Sequence, residues 1–66
     1  MASEFRKRLA EVRNEKGLTQ AAVEKRAGFA PGTVSHYESG DRAPGIENLC
    51  LLCAALGCKA KDLLGI

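Results

Sequence analysis

No run of apolar residues in this chain approaches the roughly 20 needed to cross a membrane. Nor does its charged N-terminus carry the apolar segment of a signal peptide, so a cytoplasmic location is expected. The chain has little length either: 66 residues make one domain, 1–66, close to the lower limit for folding without covalent help. So small a core has little room for an enclosed catalytic pocket, which argues against an enzyme. Cysteines are few and odd in number, and the three at Cys50, Cys53 and Cys58 argue against a closed disulfide framework. With His36 they could be drawn as a zinc set. However, Cys50 and Cys53 sit in the apolar run IENLCLLCAALG, where cysteine behaves as a small hydrophobe. A structural zinc site normally pairs one C-x2-C knuckle with a second. No metal and no cofactor is therefore expected. Linkers, repeats and low-complexity stretches are also missing, and no segment reads as a strand.

What is present is the balance of a folded soluble domain: 45% hydrophobic and 27% charged residues, too apolar for a disordered tail. The net charge of +2 says little, but its distribution is uneven. Residues 1–26 hold seven basic groups (Arg6, Lys7, Arg8, Arg13, Lys16, Lys25, Arg26) against four Glu, and residues 27–66 hold three against four acidic ones. That asymmetry fits a face for a polyanion and equally fits a solvated charged helix.

The pattern predicts an all-α, compact five-helix domain with helices at about 3–16, 20–27, 31–39, 46–56 and 60–64. Ser3 is placed to N-cap the first helix, with Phe5, Leu9 and Val12 on one face and Gly17 as the stop. Thr19 is a good N-cap for QAAVEKRA, which should bury Ala22, Val23 and Ala27 and end at Gly28. Pro31, with its fixed φ, suits the first position of the third helix, which ends at Gly40. In the fourth, Ile46, Leu49, Leu52, Cys53 and Leu56 share a face while Leu51 points away. The last turn carries Leu63 and Leu64, and Lys59 is a poor N-cap for it. Two short helices joined by the three-residue turn GFA match a helix-turn-helix unit, although periodicity alone fits any small helical bundle.

The residues that make this more specific are R13-x4-L18-T19-Q20, then A27-G28-F29, then T33-V34-S35-H36-Y37-E38-S39-G40, then P44 before L49-x2-L52-C53-x2-L56-G57 and L63-L64. From about Leu9 to Leu64 the chain resembles the phage lambda repressor/Cro-like helix-turn-helix DNA-binding family. The resemblance implies a sequence-specific transcriptional regulator, a repressor, that lays helix 31–39 in the major groove of an inverted-repeat operator as a homodimer. It pairs Arg13 with Glu38, a bidentate bond that could fix the angle of the recognition helix. It also sets Gln20, beside the cap Thr19, at a helix start that meets a DNA phosphate.

With Val34 inward, Tyr37 and Glu38 turn to the body, and Gly32, Ser35, His36 and Ser39 face out with Thr33 and Pro31 at the flanks. The family often carries long polar side chains at 31, 32 and 36; Pro31 and Gly32 depart from that. Base reading is accordingly expected from Thr33, Ser35 and His36, on a slim helix lying deep in the groove with its N-terminal N–H groups near phosphate. Gly32 and Ser39 complete the expected DNA-contacting face, with DNA shape and a backbone or minor-groove contact from Arg42. Double-stranded DNA is the expected partner, and no small-molecule ligand or membrane is. Leu51 and the final LLGI are candidates for a dimer contact, and control is expected from concentration, autoregulation or a partner. The competing reading is a helix-turn-helix used as a protein-interaction module, antitoxin-like or adaptor; a third is a Cys-based redox or metal protein.

Overall fold

The computed structural model describes the backbone of residues 2–65 and the side chains from Glu4 onward. Among the described residues there are five helices and no strand: α1 (Ala2–Glu15), α2 (Gln20–Ala27), α3 (Thr33–Ser39), α4 (Ile46–Leu56) and α5 (Ala60–Leu64). The helix α1 packs against α3 and α5, and α2 packs against α3 and α4. Among the described residues five large side chains are fully buried, and each helix supplies one: Leu9, Val23, Val34, Leu52 and Leu63. Phe5, Tyr37, Ala55 and Leu56 complete the centre. A small chain buries little surface per residue, so drawing one anchor from every helix is how this one builds a shared core.

The caps explain most helix ends. The Thr19 hydroxyl accepts a hydrogen bond from the Ala22 N–H at 3.0 Å, satisfying one of the free donors at the start of α2. At α5 the Lys59 side chain has no acceptor to offer, but the Asp62 carboxylate reaches back to the Lys59 N–H at 3.0 Å. Half of a capping box thus supports a helix whose cap reads as weak in the sequence. Boundaries shift slightly at α1, which is 2–15 rather than 3–16. Ser3, expected as its N-cap, is already inside the helix, and its side chain lies outside the described residues.

One inward assignment on α4 is corrected. Ile46 shares the helical phase of Leu49 and Leu52 yet is 82% exposed. Periodicity fixes the direction of a side chain, not whether a neighbour reaches that far along the axis. Ile46 is the first residue of its helix, and no described residue covers it. Ala55 takes a buried place instead, and Ala22 on α2 is only half-buried.

Cys53 and Cys58 lie half-buried against the core, and Cys50 is exposed. Burial, and then the neighbouring Cys53, pushes the Cys58 thiol up from its ordinary 9.0 to about 11. The folded state therefore holds this proton more tightly than the unfolded chain does. That stabilising contribution is present below pH 9 and is lost as pH rises toward 11. Because the thiolate is the reactive form, alkylation at pH 8 followed by mass spectrometry should label Cys50 first and Cys58 last.

Candidate nucleic-acid interface

The junction between α2 and α3 is built around a buried carboxylate. Gly28 ends α2, and Phe29 turns its ring edge-on to Tyr37, with centroids 6.1 Å apart at 87°. The third helix does not start at Pro31, as its fixed φ suggests, but at Thr33. The residue between them, Gly32, has φ +91° and ψ −9°, a left-handed conformation that interrupts helical geometry. It offers no capping side chain. In its place Glu24 of α2, only 7% exposed, accepts from the Gly32 N–H at 3.0 Å and the Val34 N–H at 2.9 Å. The Thr33 hydroxyl closes the turn by donating to the Ala30 carbonyl at 2.8 Å.

The missing polar side chain at position 32 thus has a backbone cause. A Cβ there would meet nothing within 4 Å, so the objection to other residues is conformational alone. Gly32→Ala should destabilise the fold by about 1 kcal/mol, read as a lowered midpoint in thermal or urea unfolding. A Gly32→Gln variant would carry the same strain.

The inner face of α3 is held at three points. Val34 is fully buried and Tyr37 nearly so, and the Tyr37 hydroxyl accepts from the Asn48 amide at 2.9 Å. Glu38 receives Arg13 in a bidentate pair, Nε to Oε2 at 2.6 Å and Nη2 to Oε1 at 3.2 Å. Gln20 adds a third donor, Nε2 to Oε1 at 3.0 Å. Arg13 also donates from Nη1 to the Leu18 carbonyl at 2.8 Å. Residues from α1, α2 and α3 therefore meet on one carboxylate. The Arg13 and Glu38 side chains are 15% and 11% exposed, well shielded from water and salt.

The outer face carries Ser35, His36 and Ser39, all exposed, with Thr33 half-buried at the edge. Several of these groups already have partners. The His36 Nδ1 lies 3.2 Å from a carboxylate oxygen of Asp41, so only Nε2 is left to point outward. Ser39 donates to the His36 carbonyl at 3.1 Å and accepts from the Asp41 N–H at 3.3 Å. Among the described residues the Ser35 hydroxyl makes no such bond, which leaves it available. Arg42 is exposed just past α3, and its N–H also donates to the His36 carbonyl, at 3.3 Å.

Arg6 of α1 is a neighbour that no sequence signal brings here. Its Nη1 donates to the Ser39 carbonyl at 3.0 Å, closing the C-terminal end of α3. Its side chain lies so near Gly40 (φ +89°) that a Cβ there would come within 2.7 Å of Nη1. The left-handed backbone favours glycine at position 40, whereas a Cβ there would only push aside the exposed Arg6 side chain and its bond to Ser39. The basic residues of the first two helices are also partly committed. Arg8 pairs with Glu4 at 2.8 Å and Arg13 with Glu38, whereas Arg6 and Arg26 bond carbonyl oxygens of Ser39 and Ala55 and keep their charge. Lys7, Lys16 and Lys25 are exposed. The excess of basic groups in residues 1–26 is thus divided between internal bracing and the surface.

Against known proteins, a helix-turn-helix family model matches residues 9–63 of the chain. The chain is 44% identical over 55 residues to an uncharacterized HTH-type transcriptional regulator, y4dJ, of Sinorhizobium fredii, covering 83% of this chain and 71% of that one. The crystal structure of the restriction-modification controller protein C.AhdI from Aeromonas hydrophila superposes with a TM-score of 0.88 at 31% identity, over 94% of each chain.

Proposed function

This chain belongs to the helix-turn-helix family, and from that premise we propose that it is a sequence-specific DNA-binding transcriptional regulator. The observation that carries the reading is how α3 is mounted. Its inner side is locked to α1 and α2 through Glu38, while its outer side presents short polar groups beside the capped start of α2. Docking a rigid helix into a groove avoids the entropy of ordering it on binding. Thr33, Ser35, the Nε2 of His36 and Ser39 are the proposed base-edge and sugar–phosphate contacts, with Arg42 on the backbone or in the minor groove. At α2 the N–H groups of Gln20 and Ala21 precede the first intrahelical bond and form the positive end of the helix dipole, so this end is proposed to hold a phosphate. The Gln20 side chain, bonded to Glu38, orients that end rather than reading DNA itself.

The regulator acts as a homodimer on an inverted repeat, because one short helix reads too few base pairs alone. Its apolar contact comes from the exposed apolar residues of α4 and α5: Ile46 at the uncovered start of α4, Leu51 on its outer side and Leu64 on α5, which are 82%, 40% and 39% exposed. Ile66, the last residue of the same stretch, lies outside the described residues. A dimer seated on an operator that overlaps a promoter would exclude polymerase, which makes repression the mode of action. The antitoxin-like or adaptor reading loses one of its supports, since the bare Gly32 follows from backbone geometry.

Selection of bound sequences from random duplex DNA tests this directly. It should enrich two half-sites in inverted order about one helical turn apart, and the affinity should fall steeply with added salt as phosphate contacts are screened. Enrichment of no sequence, or binding that ignores salt, would overturn it. Sedimentation should find the DNA-bound species to contain two chains, and a single chain per site would remove the dimer.

A further inference from the structure

The proposed readout of DNA by α3 leaves Glu24 unused, although among the described residues it is the buried charged side chain. It lies on α2, ten residues before the N–H it caps at Val34, so its job is to join two helices and not to finish its own. The third helix is held by carboxylates near both ends. Glu24 grips its start through Gly32 and Val34, and Glu38 ties its last turn to Arg13 and Gln20. A short rod gripped at two points has a defined direction, and gripped at one it can tilt. Seven residues at 1.5 Å each make α3 about 10 Å long, so a shift of about 1 Å at its start tilts it by roughly 6°. Hydrogen bonds to base edges weaken steeply once their geometry is lost.

We propose that Glu24 is a positioning residue for DNA recognition: by capping α3 from α2, it sets the angle at which Thr33, Ser35 and His36 meet base edges. The role rests on the DNA-binding reading above. It also has an electrostatic side. The Glu24 carboxylate offsets the positive end of the α3 dipole from within the protein, so the start of α3 attracts phosphate weakly. Backbone anchoring then falls to α2, and α3 is left to discriminate.

The test uses the duplex enriched by the wild-type chain and an unrelated duplex of equal length. Both affinities are measured at a temperature where unfolding curves show each variant folded. Glu24→Ala removes the cap. Glu24→Asp keeps the charge but withdraws the carboxylate by one methylene, and it serves if the alanine variant does not fold. The ratio of specific to non-specific affinity should fall at least tenfold in either variant, with non-specific affinity maintained and faster amide exchange at Gly32 and Val34. A purely structural role would lower the unfolding midpoint and leave that ratio unchanged, and this result overturns the proposal. If the wild-type chain enriches no duplex, the underlying reading fails and takes the positioning role with it; that outcome is visible before any variant is compared.

Discussion

Glu38→Ala is expected to cost about 3 kcal/mol and to leave much of the population unfolded at 25 °C. Removing one partner of a fully buried ion pair leaves the other charge without compensation, a loss of roughly 3–5 kcal/mol; Arg13 and Glu38 are mostly, not fully, buried. The low end applies because 15% of the Arg13 side chain still meets water and its Nη1 keeps the Leu18 carbonyl. A single core in a chain of this size rarely supplies more than about 3–5 kcal/mol in total, so the change consumes most of the margin. Urea unfolding followed by circular dichroism measures it. The double variant Arg13→Met with Glu38→Leu should be more stable than either single variant, because no buried charge is stranded. If the two singles and the double lose the same small amount, the cluster is a surface pair and not a structural lock. Gln20→Ala separates the third donor. It leaves the bidentate pair intact and should cost about 1 kcal/mol, the worth of one hydrogen bond.

Leu9→Ala should be comparably damaging, at about 3 kcal/mol, for a different reason. Leu9 is fully buried in α1, the helix that packs against both α3 and α5. Truncation loses the transfer energy of the deleted groups and leaves a cavity, for roughly 2–5 kcal/mol in well-packed cores. With one fully buried anchor per helix, the fold has no spare contact to take up the loss. The transition should move to lower urea concentration, and heating should show no stable folded baseline at 37 °C. Leu51→Ala, at a 40% exposed position on the other side of α4, is the control and should change the midpoint of the monomer by less than about 0.5 kcal/mol. Equal effects at the two positions would contradict this description of the core.

The positions that the pattern of residues reveals are those set locally. Phe5 and Leu9 lie at helical spacing and both are buried. Thr19 precedes an apolar helix and caps it. Gly28 stops α2 and Gly40 stops α3. Each of these depends on groups within a few residues along the chain. Errors arise where one local rule is overridden by another, or where no neighbour arrives to complete it. Pro31 has the φ of a first helical residue, yet the next residue turns left-handed and α3 begins at Thr33. Ile46 has the phase of a core residue but is 82% exposed. His36 is expected to offer its ring to a base edge, and one of its two nitrogens is taken by Asp41.

The candidate interface divides the same way. Which side of α3 faces out is legible, because Val34 and Tyr37 are three apart and define the inward side. The pairing of Arg13 with Glu38 came through family resemblance and not through spacing. Gln20 as a further donor to that carboxylate, Arg6 laid over Gly40, and Glu24 as the cap of α3 have no counterpart in the pattern. In composition Glu24 is one more charge on an amphipathic helix.

By its sequence alone this protein is a five-helix chain with a helix-turn-helix and an outward face of short polar residues. Periodicity, caps and stops are properties of neighbours along the chain, and those are written in order. How α3 is aimed is a tertiary matter. It depends on where the carboxylates of Glu24 and Glu38 stand relative to N–H donors on other elements. Those groups are eight to twenty-five residues apart in sequence, and folding alone brings them within hydrogen-bond reach.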